Sequence, residues 1–427
     1  MRKRVLIYPG NSYSAEAVFK CLQESLRYEP IMANHGSAHA QFITESFYDD
    51  FPLIFEDRFI CYLNNFIDLN SVKFIIPTHD TVADYLAKEA DRINCTVICS
   101  DKKTADICRH KRKTYHLLKA YDFIPHVYEM GEDIQYPVFI KDDIGQGGKN
   151  AYVVYDNQDL LNKLNDSNVD YVITEYLPGE EITIDCFTNR HGQMLYCQSR
   201  MRETILTGMS GRAKIIECTG EIQRIAGIIN KEMKFRGYWY FQCKQDSDGK
   251  YKLMEISTRY AGTFPLTKNL DVNFPLLSLT DFDDIDVKIV PNHYEIRSDR
   301  GYQILYKVNI VYERVYFDFD DTLVRNRKTF IIQAIAFLFQ CVNEGKEIIL
   351  LTRHIYDIYD TLDKLHFDKR VFNQIIEVPE EEMKSDYIKM DKTCIFIDNS
   401  FAERLDVKEK LGIPTFDVCN LECLLRM

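Results

Sequence analysis

Residues 315–323 read VYFDFDDTL, a short hydrophobic strand that closes on two aspartates, Asp318 and Asp320, with Thr322 just beyond. Side chains alternate along a strand, so carboxylates two positions apart project on the same side at its C-terminal end. There a nucleophile and an acid/base partner can face one substrate. A strand–helix rhythm follows: a helix is expected over 329–343, a strand over 347–352 (EIILLT), a helix over 355–365 and a strand over 393–398 (TCIFID). Such alternation builds a parallel sheet, whose ligand sites lie outside the strand carboxyl ends. The polar residues ending these strands are Asp318, Thr352 and Asp398.

This run and its polar strand ends resemble the haloacid dehalogenase-like (HAD) phosphatase superfamily, over about the last third of the chain. The resemblance implies that Asp318 attacks phosphorus to give an aspartyl phosphate. Asp320 would protonate the leaving group and then activate water. Thr352 and Lys384, the latter in MKSDYI, would bind phosphoryl oxygens. Asp398 would join Asp318 and the carbonyl of Asp320 in binding Mg²⁺, with Glu403 as an outer helper. The intervals 322–352 and 352–384 hold only a helix or two each, so this Rossmann-like domain is expected to lack a large cap.

Composition narrows the classes. With 46% hydrophobic and 28% charged residues the chain reads as an ordinary soluble globular protein, and no run approaches the ~18 apolar residues of a membrane span. The basic, then apolar start MRKRVLIYPG has too short an apolar run for a signal peptide and reads as a first buried strand. A net charge of −12 disfavours nucleic acid as a partner, which needs clustered cations. The run RHKRK at 109–113 is the local exception, read as a solvated helix face or a binding element. Thirteen cysteines without CxxC spacing point to reduced thiols in a cytoplasmic protein, against a disulfide framework or a zinc site.

Residues 1 to about 100 alternate apolar strands (5–8, 74–77, 96–100) with amphipathic stretches, an α/β pattern with a parallel sheet. Residues 101–120 read as a helix capped by Ser100 or Asp101. Residues 136–186 read as antiparallel strands broken by a glycine-rich loop and by LPGEE. Apolar spacing at Ile222, Ile225, Ala226, Ile229 and Met233 predicts a helix behind a Thr219 cap. Strands follow at 238–244 and 251–257 around the turn DSDG, and DFDDID at 281–286 reads as an acidic loop. In YPVFIKDDIGQGGKNAYVV, Lys141 ends a strand before Gly145, Gly147 and Gly148; glycines admit the backbone geometry that surrounds phosphate oxygens with N–H groups.

Order along the chain adds to this. KRKT at 111–114, Lys141 with its loop, ITEYLPGEE at 173–181 and YFQCKQDSDGKYKLMEISTR at 240–259 follow in a succession that resembles the ATP-grasp superfamily, of the carbamoyl-phosphate synthase and D-alanine ligase kind. The resemblance implies that Lys111 and Lys141 hold ATP phosphates under a lid of residues 145–148, with Gly147 and Gly148 at its tip. Glu175, Tyr176 and Leu177 would line the adenine slot and Glu181 would hold the ribose. Gln242 and Glu255 would bind Mg²⁺, and Arg259 would neutralise the transferred phosphoryl group. EISTR stands where the family commonly has EINPR, so Ser257 replaces an asparagine that usually contributes a metal oxygen. Arg200 and Arg202 are candidates for the carboxylate substrate or its acyl phosphate, or plain surface arginines.

The expected architecture is therefore α/β. An N-terminal α/β pre-ATP-grasp domain (1–105) precedes an α+β ATP-grasp domain (106–285), a bridging segment (286–313) and a C-terminal Rossmann-like HAD domain (314–427). The expected function is bifunctional. An ATP- and Mg²⁺-dependent ligase joins a small-molecule carboxylate to an amine-type nucleophile through an acyl phosphate, and a phosphatase acts on a phosphorylated substrate. The alternatives are a phosphatase with a regulatory ATP-binding module and a noncatalytic, ATP-gated scaffold.

Overall fold

The computed structural model describes residues 2–23, 25–129, 131–145, 147–165, 169–206, 209–292, 295–299, 308 and 310–426. The chain forms two compact units, Met1–Tyr302 and Gln303–Met427.

The first unit opens on a parallel sheet of five strands, in the order Phe47–Tyr48, Tyr28–Ala33, Lys3–Tyr8, Val72–Pro77, Thr96–Val97. Val5, Leu6 and Ile7 are wholly buried because a central parallel strand is covered on both faces. Two antiparallel sheets follow. One has three strands, Ala151–Val154, Val138–Asp142 and Tyr171–Glu175. The other has six, in the order Tyr251–Ser257, Gly237–Gln245, Glu181–Thr188, Met194–Arg202, Arg212–Ile215, Arg297–Asp299. The helix Gly220–Glu232 lays Ile222, Ile225, Ala226 and Ile229 on the core of the six-stranded sheet, against residues that include Trp239 and Phe241. The Thr219 hydroxyl accepts from the Ile222 amide, a cap worth about 1 kcal/mol.

Three expectations are corrected. The helix over 101–120 is two helices, Lys102–Arg109 and Lys111–Leu118, broken at His110. Asp143 accounts for the break: one carboxylate oxygen accepts from the Arg112 amide at 2.7 Å, and the other pairs with His110 Nδ1 at 2.7 Å. DFDDID is not a solvated loop throughout. Its Asp281 is buried at the end of the helix Phe274–Phe282 and accepts from Arg236 Nε at 2.8 Å. Arg200 is no surface arginine, as detailed below. Much of the bridging segment, residues 293–294, 300–307 and 309, lies outside the described residues; its strand Arg297–Asp299 joins the six-stranded sheet beside Arg212–Ile215.

The second unit is a parallel sheet of five strands ordered Gln374–Glu377, Glu347–Thr352, Arg314–Phe317, Cys394–Ile397, Thr415–Phe416. The strands at 374–377 and 415–416 were not anticipated; at four and two residues they are too short for a period to show. The helix expected over 329–343 starts at Ile332, because Thr329–Phe330 pairs instead with Val324–Arg325. The described cysteines are free thiols; Cys186 and Cys243 are buried and Cys61 is exposed. No described helix is long and apolar enough to cross a membrane.

Candidate functional site

In the first unit the strand Val138–Asp142 brings Lys141 into the interior. Its Nζ donates to the Tyr115 hydroxyl oxygen at 2.6 Å and to the Met254 carbonyl at 3.1 Å, while the Tyr115 hydroxyl itself donates to that carbonyl at 2.7 Å. Burial first, and the charge of Lys111 second, lower the Lys141 ammonium from its ordinary range to about 7. Lys111 Nζ gathers the start of the glycine loop, donating to the carbonyls of Asp142 at 3.0 Å, Asp143 at 3.3 Å and Gly145 at 3.0 Å. Gly147 and Gly148 have φ of +63° and +71°, the left-handed region where glycine carries no Cβ penalty. Gln146 of this loop lies outside the described residues.

Across the sheet, Gln242 faces Glu255 in the antiparallel register. Gln242 Nε2 donates to Thr183 Oγ1 at 3.2 Å, which leaves the amide oxygen as the group's acceptor. A hard cation with oxygen ligands fits that pair. Ser257 Oγ donates to Asp80 Oδ1 at 2.9 Å, and Arg259 Nε donates to Asp80 Oδ2 at 2.8 Å. Burial alone would raise the Asp80 carboxyl; Arg259 outweighs it and holds the group below its ordinary value. One cleft collects Asp80, Arg109, Lys111, Gly147, Glu255 and Arg259 in its walls.

Lys141, Gln242, Glu175, Tyr176, Leu177 and Glu181 are not part of that lining. Glu175 Oε1 accepts from the His126 amide at 2.8 Å, Tyr176 lies under Lys244 Nζ at 5.8 Å, and Leu177 is buried. Glu181 pairs with Arg202 at 2.9 Å, so both are committed to one another. Arg200 is 2% exposed and grips the fully buried Asp185 with two nitrogens, at 2.8 and 3.1 Å, while Tyr238 donates to the same carboxylate at 2.6 Å. It is a core ion pair. Asp80 and Asp84 are acidic cleft residues the sequence reading missed, whereas Arg109 belongs to the run RHKRK singled out above. Asp80 opens the helix after the strand Val72–Pro77, and its place beyond the carboxyl end of a parallel strand was the available signal.

In the second unit Asp318, Thr352 and Asp398 end or follow three neighbouring parallel strands, and the short turn Lys384–Tyr387 delivers Lys384 between the two aspartates. Lys384 Nζ lies 2.7 Å from Asp318 and 2.6 Å from Asp398. Thr322 Oγ1 donates to Asp318 Oδ2 at 2.9 Å and accepts from the Asn399 amide at 3.0 Å. Burial first, and the facing Asp398 second, push the Asp318 carboxyl up to about 6; burial raises Asp398 as well. Thr352 Oγ1 is fully buried and has no hydrogen-bond partner among the described residues, which fits a hydroxyl awaiting a ligand oxygen. Asp320 keeps 39% of its side chain exposed and pairs with His354 Nδ1 at 2.7 Å. His354 is wholly buried at the side chain, its Nε2 2.9 Å from Thr361 Oγ1; nothing in the sequence pattern had pointed to it. Glu403 pairs with Arg353.

Two buried carboxylates share one ammonium here, a deficit of positive charge that a cation would offset. Among the described residues no group of three His, Cys, Asp or Glu side chains could hold a metal ion. A metal in either unit would therefore combine fewer such side chains with amide or carbonyl oxygens and water.

Residues 167–302 match the family described as ATP-grasp in the biosynthetic pathway with Ter operon. The chain carries an ATP-grasp domain. Solved structures similar to it include pyruvate carboxylase from Rhizobium etli, at TM-score 0.56 and 14% identity over 67% of this chain and 29% of that one. They also include the biotin carboxylase domain of the Hydrogenobacter thermophilus 2-oxoglutarate carboxylase, bound to MgADP, ADP and bicarbonate, at TM-score 0.57 and 15% identity over 68% and 72%. An L-amino acid ligase from Bacillus licheniformis aligns at TM-score 0.52 and 17% identity over 66% and 74%. No curated protein matches the chain. The ATP-grasp domain holds the six-stranded sheet that presents Gln242, Glu255 and Arg259, and the cleft described above is built on its edge strand.

Proposed function

We propose that the first unit is an ATP-dependent ligase that joins a carboxylate to an amine-type nucleophile, and that the second is a phosphatase acting through an aspartyl phosphate. One observation carries the ligase reading: the cleft that collects Lys111, Gly147, Glu255 and Arg259 is built on the edge strand Tyr251–Ser257 of the segment 167–302 that matches the ATP-grasp family. A substrate carboxylate oxygen attacks the γ-phosphorus of ATP, the bond to ADP breaks, and an acyl phosphate forms. An amine then attacks the acyl carbon, phosphate leaves, and the amine proton passes to solvent or a base.

Each residue has a task in that sequence. Lys111 holds the loop over the nucleotide, Lys141 offsets phosphate charge, and Arg259 meets the charge developing on the transferred group. Glu175, Tyr176 and Leu177 would face the base, with Glu181 near the ribose once released from Arg202. Gln242 and Glu255 are the residues that would hold Mg²⁺, whose charge compensates the phosphates.

In the second unit an oxygen of Asp318 attacks phosphorus while Asp320 gives its proton to the leaving oxygen. Asp320 then takes a proton from the water that cleaves the aspartyl phosphate. Lys384 and Thr352 hold the phosphoryl oxygens. Asp318, Asp398 and the Asp320 carbonyl would hold Mg²⁺.

The two halves are separable in one experiment. Lys141→Ala should abolish ADP formation and leave turnover of an aryl phosphate intact. Loss of both activities in a folded variant would rule out two independent sites. A regulatory ATP module serving the phosphatase is the second reading, favoured by Ser257, whose hydroxyl is bonded to Asp80 instead of offering a metal oxygen.

A further inference from the structure

We propose that Asp80 is the positioning residue for Arg259 in the ATP-grasp cleft, and that Ser257 serves this pair and no metal ion. The inference rests on the ligase reading above.

Arg259 has three guanidinium nitrogens. Nε donates to Asp80 Oδ2 at 2.8 Å and Nη1 donates to the Tyr260 carbonyl at 3.0 Å. The group's carbon lies 5.6 Å from the centre of the Tyr240 ring, in cation–π range. Nη2 has no hydrogen-bond acceptor among the described residues, so its N–H groups are left for an anionic ligand oxygen. A guanidinium held this way points a fixed charge at the reacting group and needs little reorganisation when charge develops there.

Ser257 completes the arrangement. Its hydroxyl donates to Asp80 Oδ1 at 2.9 Å, and its oxygen accepts from the Arg259 amide at 3.4 Å. Ser257 thus touches both members of the pair, Asp80 through its hydroxyl hydrogen and Arg259 through its oxygen. A carboxylate is the acceptor that binds both neighbours at once, one through each oxygen. Asp80 comes from the helix that follows the strand Val72–Pro77, so the parallel sheet of the first unit supplies a part the six-stranded sheet lacks.

The test is a double-mutant cycle on the full chain, reading ADP formation from MgATP with a small-molecule cell extract as acceptor source. Asp80→Ala should lower the maximal rate roughly 10²-fold, the cost of a misplaced catalytic group, with the MgATP KM within about threefold. Asp80→Asn, which keeps one oxygen acceptor, should recover part of that loss. In an Arg259→Ala background Asp80→Ala should change nothing further. A second full drop there, or Mn²⁺ affinity in the presence of ADP falling with Asp80 whatever stands at 259, would overturn the proposal. If the wild type forms no ADP, the ligase reading fails by itself. The ¹⁵N-resolved Arg259 Nε–H signal then decides the positioning: it should broaden in Asp80→Ala and persist in Asp80→Asn, and an unchanged signal in both refutes it.

Discussion

Lys141 Nζ lies 2.6 Å from the Tyr115 hydroxyl oxygen and 3.1 Å from the Met254 carbonyl, two uncharged partners. The lysine is thus buried beside a phenol and a carbonyl, and its ordinary titration near ~10.4 drops to about 7.

That shift sets a pH dependence. Between about 7 and the ordinary lysine range the unfolded chain holds a proton that the folded chain has lost, so stability rises with pH across this window. Phosphate favours the charged form, so ADP binding above about 7 takes up a proton and weakens as pH rises. Calorimetry at pH 8 in two buffers of different ionisation enthalpy should show that uptake in the wild type and not in Lys141→Met. Equal uptake in both would assign the proton to another group.

Arg200 and Asp185 form a core ion pair, so their contribution is to folding before any ligand binds. Arg200→Met leaves the fully buried Asp185 charge with only Tyr238 as partner and should cost about 3–5 kcal/mol. Urea unfolding measures it. A change under 1 kcal/mol would mean the carboxylate is hydrated or neutral.

Lys384 separates Asp318 from Asp398. Removing its charge in Lys384→Met lets burial and mutual repulsion push both carboxyls higher than they already stand. Aryl phosphate turnover should fall by roughly 10²-fold or more, as expected when a preorganised charge is deleted. Raised Mg²⁺ should recover part of it. Wild-type rates in this variant would place the chemistry elsewhere.

His354 orients Asp320 from a buried seat fixed by Thr361. His354→Ala should slow hydrolysis of an alkyl phosphate, whose leaving oxygen needs a proton, more than that of p-nitrophenyl phosphate, which leaves without one. General acid catalysis is worth ~10²–10⁴-fold, so a gap of about tenfold between the two substrates is expected. Equal losses would reduce His354 to packing.

The strand-borne parts of both sites were legible in the sequence because period and position decide them locally. Asp318 was legible as the residue that follows one buried strand, although it and Asp320 lie past the strand's last residue, Phe317, and Lys141 with its glycines follows from one hairpin. Gln242 and Glu255 were legible as residues of neighbouring strands, but a register shift between Gln242 and Cys243 is what sets them opposite one another. The roles of arginines were not legible. Arg200 carries the same sequence signal whether it faces solvent or Asp185, and only the packing of the strands Glu181–Thr188, Met194–Arg202 and Gly237–Gln245 placed it beneath Tyr238.

The sequence by itself determined the longer strands and helices, such as Lys3–Tyr8, Gly220–Glu232 and Glu347–Thr352, and which polar side chains stand at strand ends, since hydrophobic period and turn residues act over a few positions. Tertiary structure alone decided that Asp80 meets Arg259 across 179 positions, that His354 backs Asp320, and that Lys111 binds its own loop. A charged side chain has no period. Its partner is fixed when sheets and helices close around it, and the cost of burying a charge without one then selects the pairing.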